Sequence, residues 1–407
     1  MKFYLLGEKL KHSYSKVIHE KTGLDYTIKE LKINEIEDFV KTGDYFGFNV
    51  TIPYKEEIIK YVDRLDESAK KIGSVNTVKR ENGKLVGYNT DYFGFKNMLV
   101  KFGVSIEGKV VMILGSGGTS KTSQAVAKDL GAKKIYIVSR KGEINYQNCY
   151  ELKDTEVIIN TTPVGMFPNN YSKPIDIDRF SKLTGVVDCI YNPLQSLLIQ
   201  DAKRKGVANC SGLYMLVAQA LEAQRIWLDK PTDFDLVDRI FGEVVFEKKN
   251  IVLEGMPSCG KSTIGKILAE KLGRELVDID KLIEEKANMR RPDIFALNGE
   301  EFFRDLETEV VKQVSKRNSL VIAIGGGSPL REENRLALKQ NGEIIYIKRP
   351  LDKLITSNRP LSQKEGVEAL WEKRKRIYEN FADKTFIHDD SVEKVVKEIL
   401  DYENFSN

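Results

Sequence analysis

Long apolar runs are missing from this 407-residue chain: no stretch of about 18 apolar residues occurs, so nothing reads as a membrane span. Histidine is scarce, with three copies (His12, His19, His388), which argues against a histidine-rich metal site. The four cysteines (Cys149, Cys189, Cys210, Cys259) stand far apart with no C-x-x-C pair. That spacing excludes a disulfide framework or a zinc pattern and suits a reducing cytosol. The first residues, MKFYLLGEKLKHSYSK, lack an apolar signal region and a small-residue cleavage site. An excess of one charge is lacking too: 64 basic and 60 acidic side chains leave a formal charge of +4. So small a balance gives no reason to expect nucleic acid or a membrane surface as partner. With 41% hydrophobic and 30% charged residues, the chain is expected to be a cytoplasmic enzyme or binding protein for small molecules, with real cores.

What is present is a repeated grammar of short β-branched run, glycine-rich turn and helical pattern. It occurs in KVVMILGSGGTSKTSQAVAKDLG (109–131), NIVLEGMPSCGKSTIGKILAEKLG (250–273) and SLVIAIGGGSPLREENRLALKQNG (319–342). Continuous apolar strands of this kind mark doubly wound α/β sheets. Residues 1 to about 95 alternate strands (3–6, 26–31, 47–51) with helical stretches and read as a separate α/β layer. A charged, helix-compatible segment from Asp229 to Lys249 precedes a new strand, which sets a boundary near Lys248.

The first turn, Gly115-Ser116-Gly117-Gly118-Thr119-Ser120, follows the strand 110–114 and opens a helix. Glycines at Gly115 and Gly117, with Gly118 behind them, allow a tight turn and let backbone N–H groups approach a pyrophosphate; small Ser120 permits helix–strand packing. An unliganded βα turn would look the same. The next strand, 134–138, ends in Ser139-Arg140-Lys141, where NAD-binding folds place an acidic residue. Two cations there fit a 2′-phosphate, so NADP(H) is the expected cofactor; a surface basic pair is the alternative.

Four polar motifs precede that turn. His12-Ser13-Tyr14-Ser15 offers two hydroxyls two residues apart, facing one way if the chain is extended. Asn49-Val50-Thr51-Ile52-Pro53-Tyr54-Lys55 delivers a lysine after a proline-stiffened turn, and Ser74-Val75-Asn76-Thr77 and Asn89-Thr90-Asp91 pair amides with hydroxyls. Carbonyl reduction needs a proton donor near the oxygen, and Lys55 with Asp91 could form that acid–base pair. Together with Asn160-Thr161-Thr162-Pro163-x-Gly165-Met166, Tyr191-Asn192-Pro193 and Gly212-x-x-Met215-Leu216-x-x-Gln219-Ala220, these motifs keep the order found in shikimate dehydrogenases. Residues 1–245 therefore resemble that family. The resemblance implies an N-terminal α/β substrate domain (1–95, with 213–247 returning to it) and a Rossmann-like NADP domain (96–212). It also implies reversible NADP-dependent reduction of 3-dehydroshikimate to shikimate. By the same resemblance Ser13, Ser15, Thr51, Asn76, Tyr191 and Gln219 would form the substrate pocket. Lys55 and Asp91 would handle the proton, and Gly212 would lie beside the cofactor. Two positions depart from the family: Lys16 replaces a proline, and Ile144 stands where a second arginine is common.

The second turn, Gly255-Met256-Pro257-Ser258-Cys259-Gly260-Lys261-Ser262, matches G-x-x-x-x-G-K-[ST] between a strand and a helix. Its backbone would cradle the phosphates of ATP, with Lys261 at the β/γ oxygens and the Ser262 hydroxyl on Mg2+. Cys259 inside that loop raises the expectation of a thiol whose oxidation or alkylation inhibits. Asp278-Ile279-Asp280 closes the strand 275–277, and strand alternation would point both carboxylates one way, Asp278 to metal and Asp280 to an acceptor hydroxyl. Downstream come Arg304-x-x-Glu307, Gly325-Gly326-Gly327, Arg359-Pro360-Leu361 and Arg374-x-x-x-Tyr378. A planar guanidinium suits a carboxylate, and a triple glycine suits a ligand lying on backbone.

These motifs make residues 248–407 similar to shikimate kinases, a P-loop domain with a parallel sheet. The resemblance implies transfer of the ATP γ-phosphoryl group to the 3-hydroxyl of shikimate. Gly255, Gly260, Lys261, Ser262 and Thr263 would hold the nucleotide, and Arg304, Arg374, Gly326 and Gly327 the acceptor. Arg359 would reach the transferred phosphate from a lid that is a few residues short and has Ile355 in place of an arginine. The product of the first reaction is the substrate of the second, so a bifunctional enzyme of aromatic biosynthesis is expected. A quinate-preferring dehydrogenase fused to a related kinase, or a non-catalytic metabolite sensor, is the alternative; monomer and homodimer both stand open.

Overall fold

A computed structural model describes residues 1–10, 14–354, 366–389 and 391–405. The chain divides into two compact units, Met1–Asn192 with Ser196–Val244, and Val245–Asn407 with Pro193–Gln195.

The first unit contains two sheets. One is built from β1 (Phe3–Gly7), β2 (Tyr26–Glu30), β3 (Gly47–Val50), β4 (Arg64–Leu65), β5 (Thr77–Glu81) and β6 (Lys84–Tyr88), in the order β2-β1-β3-β5-β6-β4. β1 runs parallel to β2 and β3, while β5 runs antiparallel to β3 and β6. Helices α1 (Tyr14–Glu20), α2 (Ile36–Thr42) and α3 (Glu67–Ile72) accompany it. After α4 (Thr90–Lys101) the second sheet is wholly parallel. Its strands β7 (Val110–Leu114), β8 (Lys134–Val138), β9 (Val157–Asn160), β10 (Gly185–Asp188) and β11 (Ala208–Ser211) take the order β11-β10-β9-β7-β8. Every residue of β7 is buried, as a continuous apolar run requires when both faces are covered. Helices α5 (Gly118–Asp129), α6 (Leu197–Lys205) and α7 (Leu213–Leu228) belong to the unit, and α8 (Phe234–Lys248) begins in it and ends just past the boundary at Val244.

Helix α7 follows the second sheet in sequence but belongs to the core of the first. Its Trp227 is fully buried, stacks on Phe3 with ring centroids 4.7 Å apart, and donates its indole N–H to the Val78 carbonyl at 3.0 Å. A β-carbon on Gly47 would collide with that indole, so the missing side chain on β3 is what admits the ring.

The second unit carries a parallel sheet of β12 (Asn250–Glu254), β13 (Glu275–Asp278), β14 (Leu320–Ala323), β15 (Gly342–Lys348) and β16 (Lys384–Ile387), ordered β13-β14-β12-β15-β16. Its helices are α9 (Lys261–Leu272), α10 (Ile279–Ala287), α11 (Arg291–Val314, kinked where Gly299 takes φ 83°), α12 (Glu332–Lys339), α13 (Val367–Phe381) and α14 (Val392–Phe405). The fold is thus α/β throughout, a mixed sheet and a Rossmann-like sheet followed by a P-loop sheet. Among the described residues no helix is long and apolar enough to cross a membrane.

The strands read from apolar runs end within one residue of their expected limits. Two local expectations are corrected. Tyr14 and Ser15 open helix α1, so this stretch is helical where an extended chain was expected. Helix α10 begins at Ile279, with Asp278 as its cap accepting from the Lys281 N–H, so strand alternation does not reach Asp280.

Replacing Trp227 by alanine removes the ring that closes the first core, at a cost of about 3–5 kcal/mol. Thermal unfolding followed by near-ultraviolet circular dichroism should show the transition of the first unit displaced downward by several degrees.

Candidate active sites

In the first unit, β3 ends at Val50 and the chain turns through a cis Ile52–Pro53 bond, bringing Lys55 to the start of α4. There the Lys55 ammonium donates to the Asp91 carboxylate at 2.6 Å, both groups being partly exposed. Asp91 sits in the first turn of α4, where the helix dipole favours an anion, and its backbone N–H donates to the Asn89 side-chain oxygen at 3.1 Å. A buried polar web lies beneath. The Asn76 side-chain oxygen accepts from the Thr90 N–H at 2.8 Å, and the Thr90 hydroxyl donates to the Gln219 side-chain oxygen at 3.2 Å. Asn49 accepts from the Tyr26 hydroxyl at 2.7 Å and donates to the Asn76 carbonyl at 3.1 Å. Gln219 reaches this web because α7 presses on α4 at Gly94, where a β-carbon would meet the Met215 carbonyl. Thr51 follows β3, its N–H donating to the Leu6 carbonyl at 2.9 Å. Tyr191 lies edge to face with Tyr14, the residue before Ser15, with centroids 5.3 Å apart, and burial raises both phenols above their ordinary values. Lys55, Asn76, Asp91 and Gln219 are thereby brought together. Ser13 lies outside the described residues, as does His12.

On the neighbouring sheet the turn after β7 leads into α5, whose cap, Gly117, supplies no side-chain hydrogen bond. β-Carbons at Gly117 and Gly118 would meet nothing within 4 Å, so open space fronts a helix N-terminus whose first N–H groups lack side-chain caps. That is a cradle suited to a phosphate. At Gly115, φ is +107° and a β-carbon would lie 2.7 Å from the Thr161 hydroxyl, so glycine is demanded twice over. Ser120 returns its hydroxyl to the Gly115 carbonyl at 2.8 Å and fixes the turn. Ser139, Arg140 and Lys141 follow β8, next to β7 in the sheet, and neither cation has an ion-pair partner among the described residues. Gly212 packs against the Cys189 carbonyl so closely that a β-carbon would collide with it.

In the second unit, strands β13, β14 and β12 lie side by side and deliver three loops to one edge. They enclose a cleft of about 350 Å³. The phosphate loop after β12 contributes Ser258, Gly260, Lys261, Ser262 and Thr263; Gly255 and Gly260 take φ of 143° and 102°. Gly260 caps α9 without a side chain, leaving the helix N-terminus open to phosphate. Lys261 donates to the Gly255 and Met256 carbonyls at 2.9 and 3.0 Å, and Ser262 donates to Asp278 at 2.8 Å. That hydroxyl and carboxylate are hard oxygen donors of the kind Mg2+ takes. Across the cleft, Arg304 pairs with Glu307 at 2.8 Å, and a β-carbon on Gly327 would collide with its guanidinium. Burial lifts the Glu307 carboxyl to about 7 against the opposing pull of Arg304. Arg374 donates to the Gly326 carbonyl at 3.2 Å, and the Tyr378 hydroxyl donates to the same oxygen. Asp280 lines this cleft with Asp278. Arg359 and Ile355 lie outside the described residues.

Comparison with known proteins bears on both units. A family model for the shikimate dehydrogenase substrate binding domain matches residues 5–78, and a shikimate kinase model matches 257–403. Over 260 residues the chain is 39% identical to the shikimate dehydrogenase (NADP(+)) of Caldicellulosiruptor saccharolyticus, covering 56% of this chain and 92% of that enzyme. The chain belongs to the shikimate dehydrogenase family. A shikimate kinase domain follows in the same polypeptide. Among solved structures, a chorismate mutase/shikimate 5-dehydrogenase fusion protein from Clostridium acetobutylicum is 40% identical with a TM-score of 0.57, covering 60% of this chain and 96% of that one. The shikimate 5-dehydrogenase from Listeria monocytogenes, in complex with shikimate and NAD, is 28% identical with a TM-score of 0.54, covering 59% and 95%.

The shikimate kinase domain also holds groups that its motifs do not announce. His388, after β16, bonds through Nδ1 to the Cys259 carbonyl at 2.8 Å and abuts Gly260, bracing the phosphate loop from behind. Arg349, after β15, reaches the Ser258 carbonyl at 3.4 Å and lines the cleft, as do Phe295 and Arg291. No spacing rule marks a lone histidine or arginine, so only the fold reveals them. The expectation of a reactive thiol is corrected: Cys259 is fully buried against Gly255, out of reach of a reagent in this conformation.

Glu254 ends β12 with no exposed surface, and neither carboxylate oxygen has a hydrogen-bond partner among the described residues. Burial pushes its carboxyl up to about 9, with Lys261, Lys339 and Arg335 pulling it down and Asp383 adding to the rise. An acid whose folded-state affinity for a proton is raised costs stability as pH climbs above its unfolded value near 4.5 and until it ionises near 9. Glu254→Gln should therefore raise the melting temperature of the kinase domain at pH 8 and leave it nearly unchanged at pH 4.5, as scanning calorimetry at both pH values would show.

Proposed function

We propose that the dehydrogenase half reduces 3-dehydroshikimate to shikimate with NADPH, and that the kinase half transfers the γ-phosphoryl group of ATP to the shikimate 3-hydroxyl. The observation that carries this reading is the conjunction, in one chain, of the Lys55–Asp91 pair with a phosphate loop facing an arginine-lined cleft. When bound, the nicotinamide supplies a hydride, ATP the phosphoryl group and Mg2+ neutralising charge.

In the first site Lys55 holds a proton 2.6 Å from Asp91 and delivers it to the carbonyl oxygen as that oxygen becomes an alkoxide. Asn76, fixed by the Thr90 N–H, joins Lys55 and Asp91 around the ring hydroxyls, Ser13 and Ser15 hold the carboxylate, and Thr51, Tyr191 and Gln219 complete the pocket. The uncompensated Arg140 and Lys141 support NADP(H), in keeping with the name of the Caldicellulosiruptor relative. In the second site Arg304 and Arg374 bind the acceptor carboxylate against Gly326 and Gly327, and Asp280 orients the attacking hydroxyl. Lys261 leaves the loop carbonyls for the β/γ oxygens, Ser262 and Asp278 would hold Mg2+, and Arg359 would act on the transferred phosphate. Four free cysteines fit a cytoplasmic enzyme.

A coupled assay with 3-dehydroshikimate, NADPH, ATP and Mg2+ tests the whole reading: ADP release should require NADPH. Failure of ADP release when shikimate itself is supplied would overturn the kinase assignment. Lys55→Ala should lower dehydrogenase kcat by about 10²–10⁴-fold while phosphorylation continues, and Lys261→Ala should do the reverse. Removing both Arg140 and Lys141 side chains should raise the KM for NADPH by about 10- to 100-fold and leave that for NADH unchanged, losing two charge-assisted contacts.

A further inference from the structure

Arg291, the first residue of α11, is tied to two carboxylates of helix α10. Asp280 and Glu284, four residues apart, share a face of α10. The Arg291 backbone N–H donates to Glu284 at 2.8 Å, and its guanidinium donates to an Asp280 carboxylate oxygen. Arg291 is therefore held at both its backbone and its tip. Its side chain is mostly buried, at 19% exposure, and it lines the same cleft as Lys261, Arg304 and Arg374. The other Asp280 oxygen faces Gly325, 2.8 Å from where a β-carbon would stand. The carboxylate is thus divided, one oxygen taken by Arg291 and the other directed to the glycine loop.

We propose that Arg291 is a positioning residue of the phosphoryl-acceptor site, fixing the rotamer of Asp280 so that its free oxygen receives the acceptor hydroxyl. This rests on the kinase reading above. A carboxylate on the first turn of a helix otherwise rotates about two bonds, and orienting a nucleophile tolerates little error: a misplacement of about 1 Å costs about 10²-fold. The guanidinium is planar and permanently charged, so it sets the plane of the carboxylate, which an ammonium does less well. Arg291 acts through Asp280: its hydrogen bonds go to the carboxylates of α10, while Lys261 bonds to the carbonyls of the phosphate loop.

The test is steady-state kinetics of phosphorylation on the full chain, with the KM for ATP as the control that the kinase domain is folded. Arg291→Leu should lower kcat with shikimate by about 10- to 100-fold and leave the KM for ATP within about twofold. Arg291→Lys should recover part of the loss. In an Asp280→Asn background, Arg291→Leu should cost almost nothing more, because residues acting as one unit are non-additive. Full additivity of the two substitutions would overturn the proposal. So would a leucine variant with unchanged constants, or one with a lower acceptor KM and undiminished kcat, which would mark Arg291 as an obstruction. A wild-type chain that turns over 3-dehydroshikimate but never phosphorylates shikimate would instead overturn the kinase reading, and this inference with it.

Discussion

A parallel strand can be followed only by a crossover, so every loop leaving a carboxyl end does so at the same edge of its sheet. The chemistry of this chain depends on that constraint. In the second sheet it sets the glycine turn after β7 beside the basic turn after β8. In the third it sets the phosphate loop, the Asp278–Asp280 corner and the triple glycine side by side, although some 70 residues separate the first from the last. Helices α5 and α9 then start at that edge with glycine caps that offer no side chain, and their open N–H groups become the anion sites.

Charge is treated differently in the two candidate sites. Lys55 and Asp91 are partly exposed and pair directly, so proton exchange with solvent stays open. Around the kinase cleft, carboxylates are withdrawn from water: Glu307 beside Arg304 and Glu254 behind the phosphate loop are both fully buried. Burial disfavours their charge, and the nearby guanidinium and ammonium groups offset only part of that penalty. The cleft consequently presents an excess of cations, suited to an acceptor acid and a polyphosphate at once.

Much of this was legible in the sequence. The apolar runs at 110–114 and 250–253 could be read because strands covered on both faces carry no polar alternation to blur them. The glycine turns and Lys261 could be read because their spacing is dictated by phosphate geometry. Local conformation was less visible. Ser15 and Asp280 each lie where a helix starts, and neither His12–Ser15 nor Asp278–Asp280 contains a signal that separates a strand end from a first helical turn. Arg291 and His388 were invisible for a different reason. His388 acts on a partner 129 residues away, while Arg291 reaches back only eleven residues to Asp280 across the end of a helix; one of two arginines before a proline, or a histidine after a short strand, reads as ordinary surface.

The placement of Trp227 has a consequence for how the chain comes into being. The first sheet is encoded by residues 3–88, yet its core is closed by a ring that follows the entire second sheet. A growing chain that has released only the first sheet presents Phe3, Tyr26 and the gap at Gly47 to water. It stays incomplete until about 140 further residues have been synthesised. The earliest part of this polypeptide to be made is thus among the last parts of the first unit to be finished, and no cut after β6 can yield it whole.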